Sequence, residues 1–502
     1  MGLSSANHEL LSVCLLGIGI VLIMNGYDTS SFISESVMHS VHMRKPNQID
    51  GYAGYYGPTV MYGFYTFSTL LSPFVCYKLG AKWTLFTASL IFTVFIANYF
   101  YLCSYTYYAA QVLLGIAFAL YYSGQGQYMS EHSTRETISR NSVIMSALGN
   151  QSMMLGGFIL LAINIVNPPA LQESTEGTHT YRDFSDREIF IIFGALFIST
   201  ILSNILFAFL PTKQYNSLAM KEPASAVTIT NQIELLWKTL GEKKILCLLP
   251  FFIFYGLHIS FWLIAFPTSF AFSHHLAHNH YLPAYYSIAV SVGNILIGFF
   301  IHHMSKKNVS FGLVPTMFTQ CFFGLLVYIL SVVSTPNLST MVPTTDNALF
   351  FNPSTFTVIL AGILHGMADC CSSTMRSFIC TIAVPKQRLQ AYSVGKLFQS
   401  LATCVGSFLA TSLSINAWIV LLIGSQLISS VGFYCVCRNI RKEEQSYKIY
   451  KNGRQDQAPD QLKKVIFKAW VEITPTAVQN WISSMPNRLM DVTTSHEGPT
   501  RY

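Results

Sequence analysis

The feature that most constrains this chain is a succession of apolar segments, each long enough to cross a bilayer. A membrane-spanning helix needs ~20 mainly apolar residues to traverse a ~30 Å hydrocarbon core. Twelve segments meet that requirement, six on each side of the longest central hydrophilic stretch: 10–28, 52–77, 83–103, 107–128, 142–166 and 189–210, then 245–272, 285–302, 311–333, 355–384, 391–413 and 417–437. Composition agrees, because 51% of the residues are hydrophobic and 11% charged, against about 25% charged in soluble domains. Lipid must replace water over most of such a surface. The first segment has no basic region before it and no small-residue cleavage site after it, so it reads as a retained helix rather than a signal peptide. The expected fold is an all-α membrane protein of twelve transmembrane helices.

The formal charge of +7 does not point to nucleic acid, because 11 of the 30 Lys and Arg residues follow Cys437 and the others punctuate the apolar segments. That distribution sets topology, since basic residues are retained on the cytoplasmic side. With the N-terminus inside, the cytoplasmic loops receive Lys78, Lys82, Arg135, Arg140, Lys306, Lys307, Lys386, Arg388 and the tail. The outer side receives Arg44, Lys45, Arg182 and Arg187. Both termini are therefore expected in the cytoplasm. The sequon at Asn337 is then an external glycosylation acceptor, and the one at Asn308 is not.

An internal echo divides the chain. Gly115, the Gly124-Gln125-Gly126 break and Gly156-Gly157 in the first six segments parallel Gly362, the Cys370-Cys371-Ser372-Ser373 break and Gly406 in the last six. Two six-helix pseudo-repeats are the symmetry expected of a major facilitator fold. The corresponding organisation is an N-terminal half at 1–212, a cytoplasmic linker at 213–243, a C-terminal half at 244–438 and a basic tail at 439–502. Within the tail, apolar residues of 461–473 recur at helical spacing with lysines elsewhere on the wheel, which suits a helix lying on the anionic inner leaflet.

Several short motifs carry a family resemblance over nearly all of the twelve-segment body: Gly51-Tyr52-Ala53-Gly54-Tyr55, Tyr62-Gly63, Ser72-Pro73, Gly124-Gln125-Gly126, Arg140-Asn141-Ser142, Gly366-Met367-Ala368-Asp369 and Gly395-Lys396-Leu397-Phe398-Gln399-Ser400. On these residues the chain resembles the Unc-93-like branch of the major facilitator superfamily. The resemblance implies either a solute carrier or an accessory protein of a potassium channel or a receptor, in the plasma membrane or an endolysosomal membrane. One departure is clear. Many major facilitators carry a mixed acidic and basic motif between their second and third helices, whereas here the loop is Lys78-Leu79-Gly80-Ala81-Lys82, with no Asp.

Charge inside a membrane is costly and therefore functional by default. Asp28 falls at the outer end of the first expected helix, leaving the first half without a mid-membrane acid. In the second half, Asp369 lies ~20 Å along the tenth segment and Lys396 ~8 Å into the eleventh, at 1.5 Å per residue. Their depths match. They are expected to form an ion pair that gates the cytoplasmic side or fixes helix register. Arg376 is expected to snorkel to the inner headgroups. Gln125, with Tyr121 and Tyr122 beside it, is the candidate lining of a polar, uncharged cavity. The histidines at 274, 275, 278 and 280 read as an ordinary polar loop, with no Cys or acid beside them to complete a metal site. No phosphate loop, zinc helix or nucleophile triad is present in the sequence, so neither an enzyme, a cofactor nor a metal is expected. Two functions stay open: an orphan carrier moving a small molecule by alternating access, and a non-transporting accessory subunit.

Overall fold

A computed structural model describes residues 5–134, 137–166, 182–213, 229–307, 313–384 and 388–456. The helices, in order, are α1 (Ser5–Arg44), α2 (Ala53–Leu79), α3 (Ala81–Ala97), α4 (Ser104–Glu131), α5 (Ile138–Gly149), α6 (Ser152–Val166), α7 (Asp186–Ala208), α8 (Ile229–Leu240), α9 (Lys243–Ser260), α10 (Phe266–Phe272), α11 (His274–Ala277), α12 (Leu282–Lys307), α13 (Leu313–Ser334), α14 (Thr355–Ala383), α15 (Arg388–Leu409) and α16 (Ile415–Asp456). Counting α9 with α10 as one, eight are long and apolar enough to cross a membrane: α1, α3, α7, α9 with α10, α12, α13, α14 and α16. Helices α2, α4 and α15 occupy segments that were also expected to cross, yet they carry more Tyr, Thr, Ser and Gln. The fifth expected segment breaks into α5 and α6. Helix α8 falls inside the stretch read as linker.

The largest departure from the sequence reading is α1, which continues to Arg44 instead of ending at Asp28. Residues 29–36 look like a polar loop, but helix geometry absorbs them. Ser30 and Ser31 each donate to the Tyr27 carbonyl at 2.8 Å, and Ser40 donates to the Ser36 carbonyl at 2.7 Å. Short hydroxyls satisfied on their own helix in this way need no water. At 1.5 Å per residue the helix is about 60 Å long, and Asp28 lies near its middle.

Small residues set the closest crossings. A β-carbon on Gly115 of α4 would lie 2.4 Å from the Met61 carbonyl of α2, and one on Gly366 of α14 would lie 2.0 Å from the Val290 carbonyl of α12. Neither position admits a side chain without separating the helices. The helices preceding residue 213 meet those following it along a seam. Thr66 of α2 and Ser400 of α15 share a hydrogen bond of 2.7 Å across it, and Ser287 of α12 donates to the Met153 carbonyl of α6 at 2.6 Å. Between α9 and α10 the helix widens into a single π turn at Phe261–Ala265. The Tyr286 hydroxyl donates to the Trp262 carbonyl within it at 2.8 Å. Such turns are frequent where a helix bears a functional site.

One end of the seam is stitched by polar contacts around Arg182, which is buried. Its backbone N–H donates to the Ala271 carbonyl at 2.9 Å, and its guanidinium donates to the His280 carbonyl at 3.0 Å. The guanidinium also lies 4.0 Å from the Phe184 ring centre. Asn164 donates to the same His280 carbonyl, and the Tyr55 hydroxyl donates to the Thr340 carbonyl. Farther out, Arg44 bridges Asp183 at 2.6 Å and Asp186 at 2.8 Å. The sequon Asn308 and the amphipathic stretch 461–473 lie outside the described residues.

Candidate functional site

Four charged side chains converge at mid-helix positions on the seam: Asp28 from α1, Asp369 and Arg376 from α14, and Lys396 from α15. Asp28 accepts a hydrogen bond from Ser152 of α6 at 2.6 Å and lies within electrostatic reach of Asp369. Asp369 in turn has Tyr255 and Trp262 beside it, with Arg376 and Lys396 in electrostatic reach. Both carboxylates keep part of their surface accessible, whereas Arg376 and Lys396 are 7% and 8% exposed.

The cations are held by neutral groups. The Lys396 ammonium sits 4.2 Å from the ring centre of Tyr122. Arg376 donates to the Gln399 side-chain carbonyl and lies between the rings of Tyr255 and Tyr392, at 5.1 and 5.6 Å. A desolvated cation over an aromatic face gains about 2 kcal/mol, and a hydrogen bond to a charged group about 1.5–3 kcal/mol. These contacts anchor a charge without neutralising it.

Two expectations need correction. Asp369 and Lys396 do not form a contact ion pair: the ion pairs among the described residues involve Arg44 and Lys45 with Asp183 and Asp186, at the Arg182 end. The reason is the ring of Tyr122, which takes up the Lys396 ammonium from α4 while Asp369 sits beside α9. Nor does Arg376 snorkel. The aromatic rings of α9 and α15 enclose it, and its Nε has no hydrogen-bond partner.

The other sequence candidates fall around this centre. Tyr122 faces the seam through Lys396, and Tyr121 packs edge-on behind it with centroids 4.9 Å apart. Gln125 turns its amide to the sulfur of Met145 on α5 at 3.2 Å, leaving its carbonyl oxygen buried and unpartnered. Asn337 occupies an exposed turn where its side-chain oxygen accepts from the Asn416 backbone at 3.0 Å, and the Ser339 hydroxyl of the same sequon is buried on the Pro336 carbonyl. No cluster of three or more His, Cys, Asp or Glu suited to a metal ion occurs among the described residues.

Sequence reasoning missed three polar elements. Asp28 was assigned to a helix end. Glu35, 2% exposed, is buried against the backbone of Gly54 and Tyr55 at the start of α2. His365, one turn before Asp369, is fully buried with both ring nitrogens unpartnered, while neighbouring His258 pairs with the Tyr328 hydroxyl at 2.9 Å. The i, i+4 spacing of His365 and Asp369 was the available signal.

The family model described as ion channel regulatory protein UNC-93 matches residues 45–434. The chain belongs to the UNC-93 family. Among UNC-93 relatives, the chain is similar to the UNC93-like protein MFSD11 of Xenopus laevis, with 24% identity over 452 residues covering 86% of this chain and 97% of that protein. It is also similar to protein unc-93 homolog A of Bos taurus, at 30% over 122 residues, 24% of this chain and 25% of the relative. In three dimensions this UNC-93 chain resembles the nucleoside transporter NupG, with a TM-score of 0.60, 13% identity and coverage of 85% of this chain and 99% of the other. A peptide transporter POT solved with sulfate gives a TM-score of 0.62 at 11% identity, over 86% and 94%. At these identities the likeness establishes a fold of the major facilitator type for this multi-pass membrane protein. The family includes regulatory proteins by description, and the fold neighbours are transporters.

Proposed function

We propose that this protein is a solute carrier that moves a small organic molecule by alternating access, with twelve spans in two six-helix halves and both termini in the cytoplasm. The observation that supports this most is the set of four mid-helix charges at the seam, contributed from both sides of residue 213 and held only by neutral groups. Intramembrane charge is retained where it meets a ligand or an ion. The matched packing of α4 on α2 and α14 on α12, each through a glycine, supports the two-half arrangement. The four charges then act as the binding centre, Tyr122 and Tyr121 form one wall, and the Arg182 stitches close the external end.

The test is accessibility. Ser36 is buried on α1 toward the Arg182 end. A Ser36→Cys variant, with the native cysteines replaced by Ser, should react with an impermeant maleimide from outside at a measurable rate. A carrier opens that end; a static body does not. If Ser36→Cys stays unlabelled even with Arg182→Ala, carriage is refuted. The family description favours a second reading, an accessory subunit of a channel. A stoichiometric channel captured from membranes, together with an unlabelled Ser36→Cys, would select it.

A further inference from the structure

The charges at the seam are arranged by sign. On α14, Asp369 precedes Arg376 by two helical turns, and Asp28 of α1 lies in reach of Asp369 rather than of the arginine's far side. Lys396 and Arg376 influence one another and mark the cationic level. Two acids therefore stand toward the Arg182 end, and two bases stand toward the end of the seam where α15 begins. Their formal sum is zero. In a medium of low dielectric, a ligand with net charge would leave the site with an uncompensated charge, whereas a ligand that is dipolar and neutral overall adds none.

Each charge is also left able to receive a partner. Lys396 rests on Tyr122, and Asp28 accepts from Ser152. Arg376 is fixed by Gln399 through one terminal nitrogen while its Nε stays buried without an acceptor. The Tyr65 hydroxyl, 4% exposed, likewise has no hydrogen-bond partner, while the indole N–H of Trp262, 3% exposed, is turned to the Asp369 carboxylate. Buried donors of this kind are normally satisfied. Their shared position around the four charges marks a place built for polar atoms that the chain itself does not supply.

We propose that the seam binds a small dipolar molecule carrying an ammonium and a carboxylate, the ammonium between Asp28 and Asp369 and the carboxylate on Arg376 and Lys396. This rests on the carrier reading for its purpose, although binding itself can be measured without transport. The spacing of the two levels sets a length. Asp369 and Arg376 are seven residues apart, about 10 Å along the helix axis, and the Arg376 side chain leans back toward Asp369 because helical side chains tilt to the N-terminus. The charged ends of the ligand are thus separated by more than those of an α-amino acid.

The experiment uses the full chain purified in detergent, and measures binding by isothermal calorimetry and thermal stabilisation. The probes are ε-aminocaproate, the shorter γ-aminobutyrate, and two single-charge controls, hexylamine and hexanoate. The wild-type protein should bind ε-aminocaproate at least tenfold more tightly than either control and more tightly than γ-aminobutyrate. Asp369→Asn should erase the preference over hexanoate, and Arg376→Gln the preference over hexylamine, while Arg376→Lys retains part of it. These opposite selectivity changes would not follow from a structural role. A control binding as well as ε-aminocaproate to the wild type overturns the proposal without needing any variant to fold. Absence of binding by both dipolar probes also overturns it, and leaves carriage standing if Ser36→Cys still labels. Dipolar binding without labelling would support the site and defeat carriage.

Discussion

The two polar regions of this bundle handle charge in opposite ways. At the Arg182 end, Arg44 meets Asp183 and Asp186 directly, and Arg182 is committed to the His280 carbonyl and the Phe184 ring. At the centre of the seam, Lys396 and Arg376 rest on aromatic faces and an amide, and the nearest acids remain out of direct contact. Contact ion pairs close a surface, because each charge has spent its directional capacity on the protein. Charges held by neutral groups retain that capacity, at the cost of a less stable apo protein. On the proposed reading the first region is a staple and the second a receptor, so substitutions should act on different observables in the two places.

The largest effect is expected from charge reversal at the centre. Asp369→Lys would place a third cation near Arg376 and Lys396 with one acid left, an imbalance of the kind that destabilises proteins by about 3–5 kcal/mol. A denaturant midpoint in detergent should show it. Adding Lys396→Asp restores the charge sum but loses the Tyr122 contact, so it should recover less than half of the deficit. Full recovery would mean that the two residues act as a simple pair, and the contrast drawn between the two regions would fail.

How much of this was legible beforehand can be traced residue by residue. Apolar length located most of the long helices, because lipid permits few alternatives to a continuous hydrogen-bonded helix, but it did not show the break between α5 and α6 or the position of α8. The same criterion ended the first helix at Asp28, since Ser30, Ser31, Ser34 and Glu35 have the composition of a loop. In the structure Ser30 and Ser31 bond back to the Tyr27 carbonyl and Ser34 meets the hydroxyls of Tyr99 and Tyr107, so the polar stretch continues α1. That one boundary hid an acid from the centre. Arg376 was visible but misplaced, because the rings that enclose it come from Tyr255 and Tyr392, over a hundred residues away in one case and in the next helix in the other. Lys396 stands out in the sequence as a charge inside an apolar segment, yet its contact with Tyr122 is set by the approach of α4, which no local pattern records.

A smaller effect, with a different readout, is expected at the staple. Arg182→Ala removes the hydrogen bond to His280 and the stacking on Phe184, a loss of about 1.5–3 kcal/mol by the usual worth of a charged hydrogen bond. The same substitution should raise the maleimide labelling rate of Ser36→Cys about tenfold, while the binding preference at the centre stays unchanged. Arg44→Ala, whose partners are partly exposed, serves as the comparison and should lower stability by at most about 1 kcal/mol. If Arg182→Ala altered ligand selectivity and left labelling untouched, the staple and the receptor would not be separate devices.

The smallest effect concerns pH and isolates one member of the staple. His280 lies in the loop that Arg182 clamps, where burial and then the neighbouring guanidinium both hold its imidazole below the ordinary value of 6.5. The folded protein thus keeps His280 neutral in a range where the unfolded chain takes up a proton, and stability must fall as pH is lowered through that ordinary value. The loss ends once the pH passes below the folded value, where both states are protonated. His280→Gln should flatten this part of the stability profile. His132, near the end of α4, is lowered by burial and by His8, so its own replacement by Gln provides a reference histidine outside the staple. If the staple geometry is right, combining His280→Gln with Arg182→Ala should remove no more slope than His280→Gln does alone, because the arginine acts on the profile only through its effect on the imidazole.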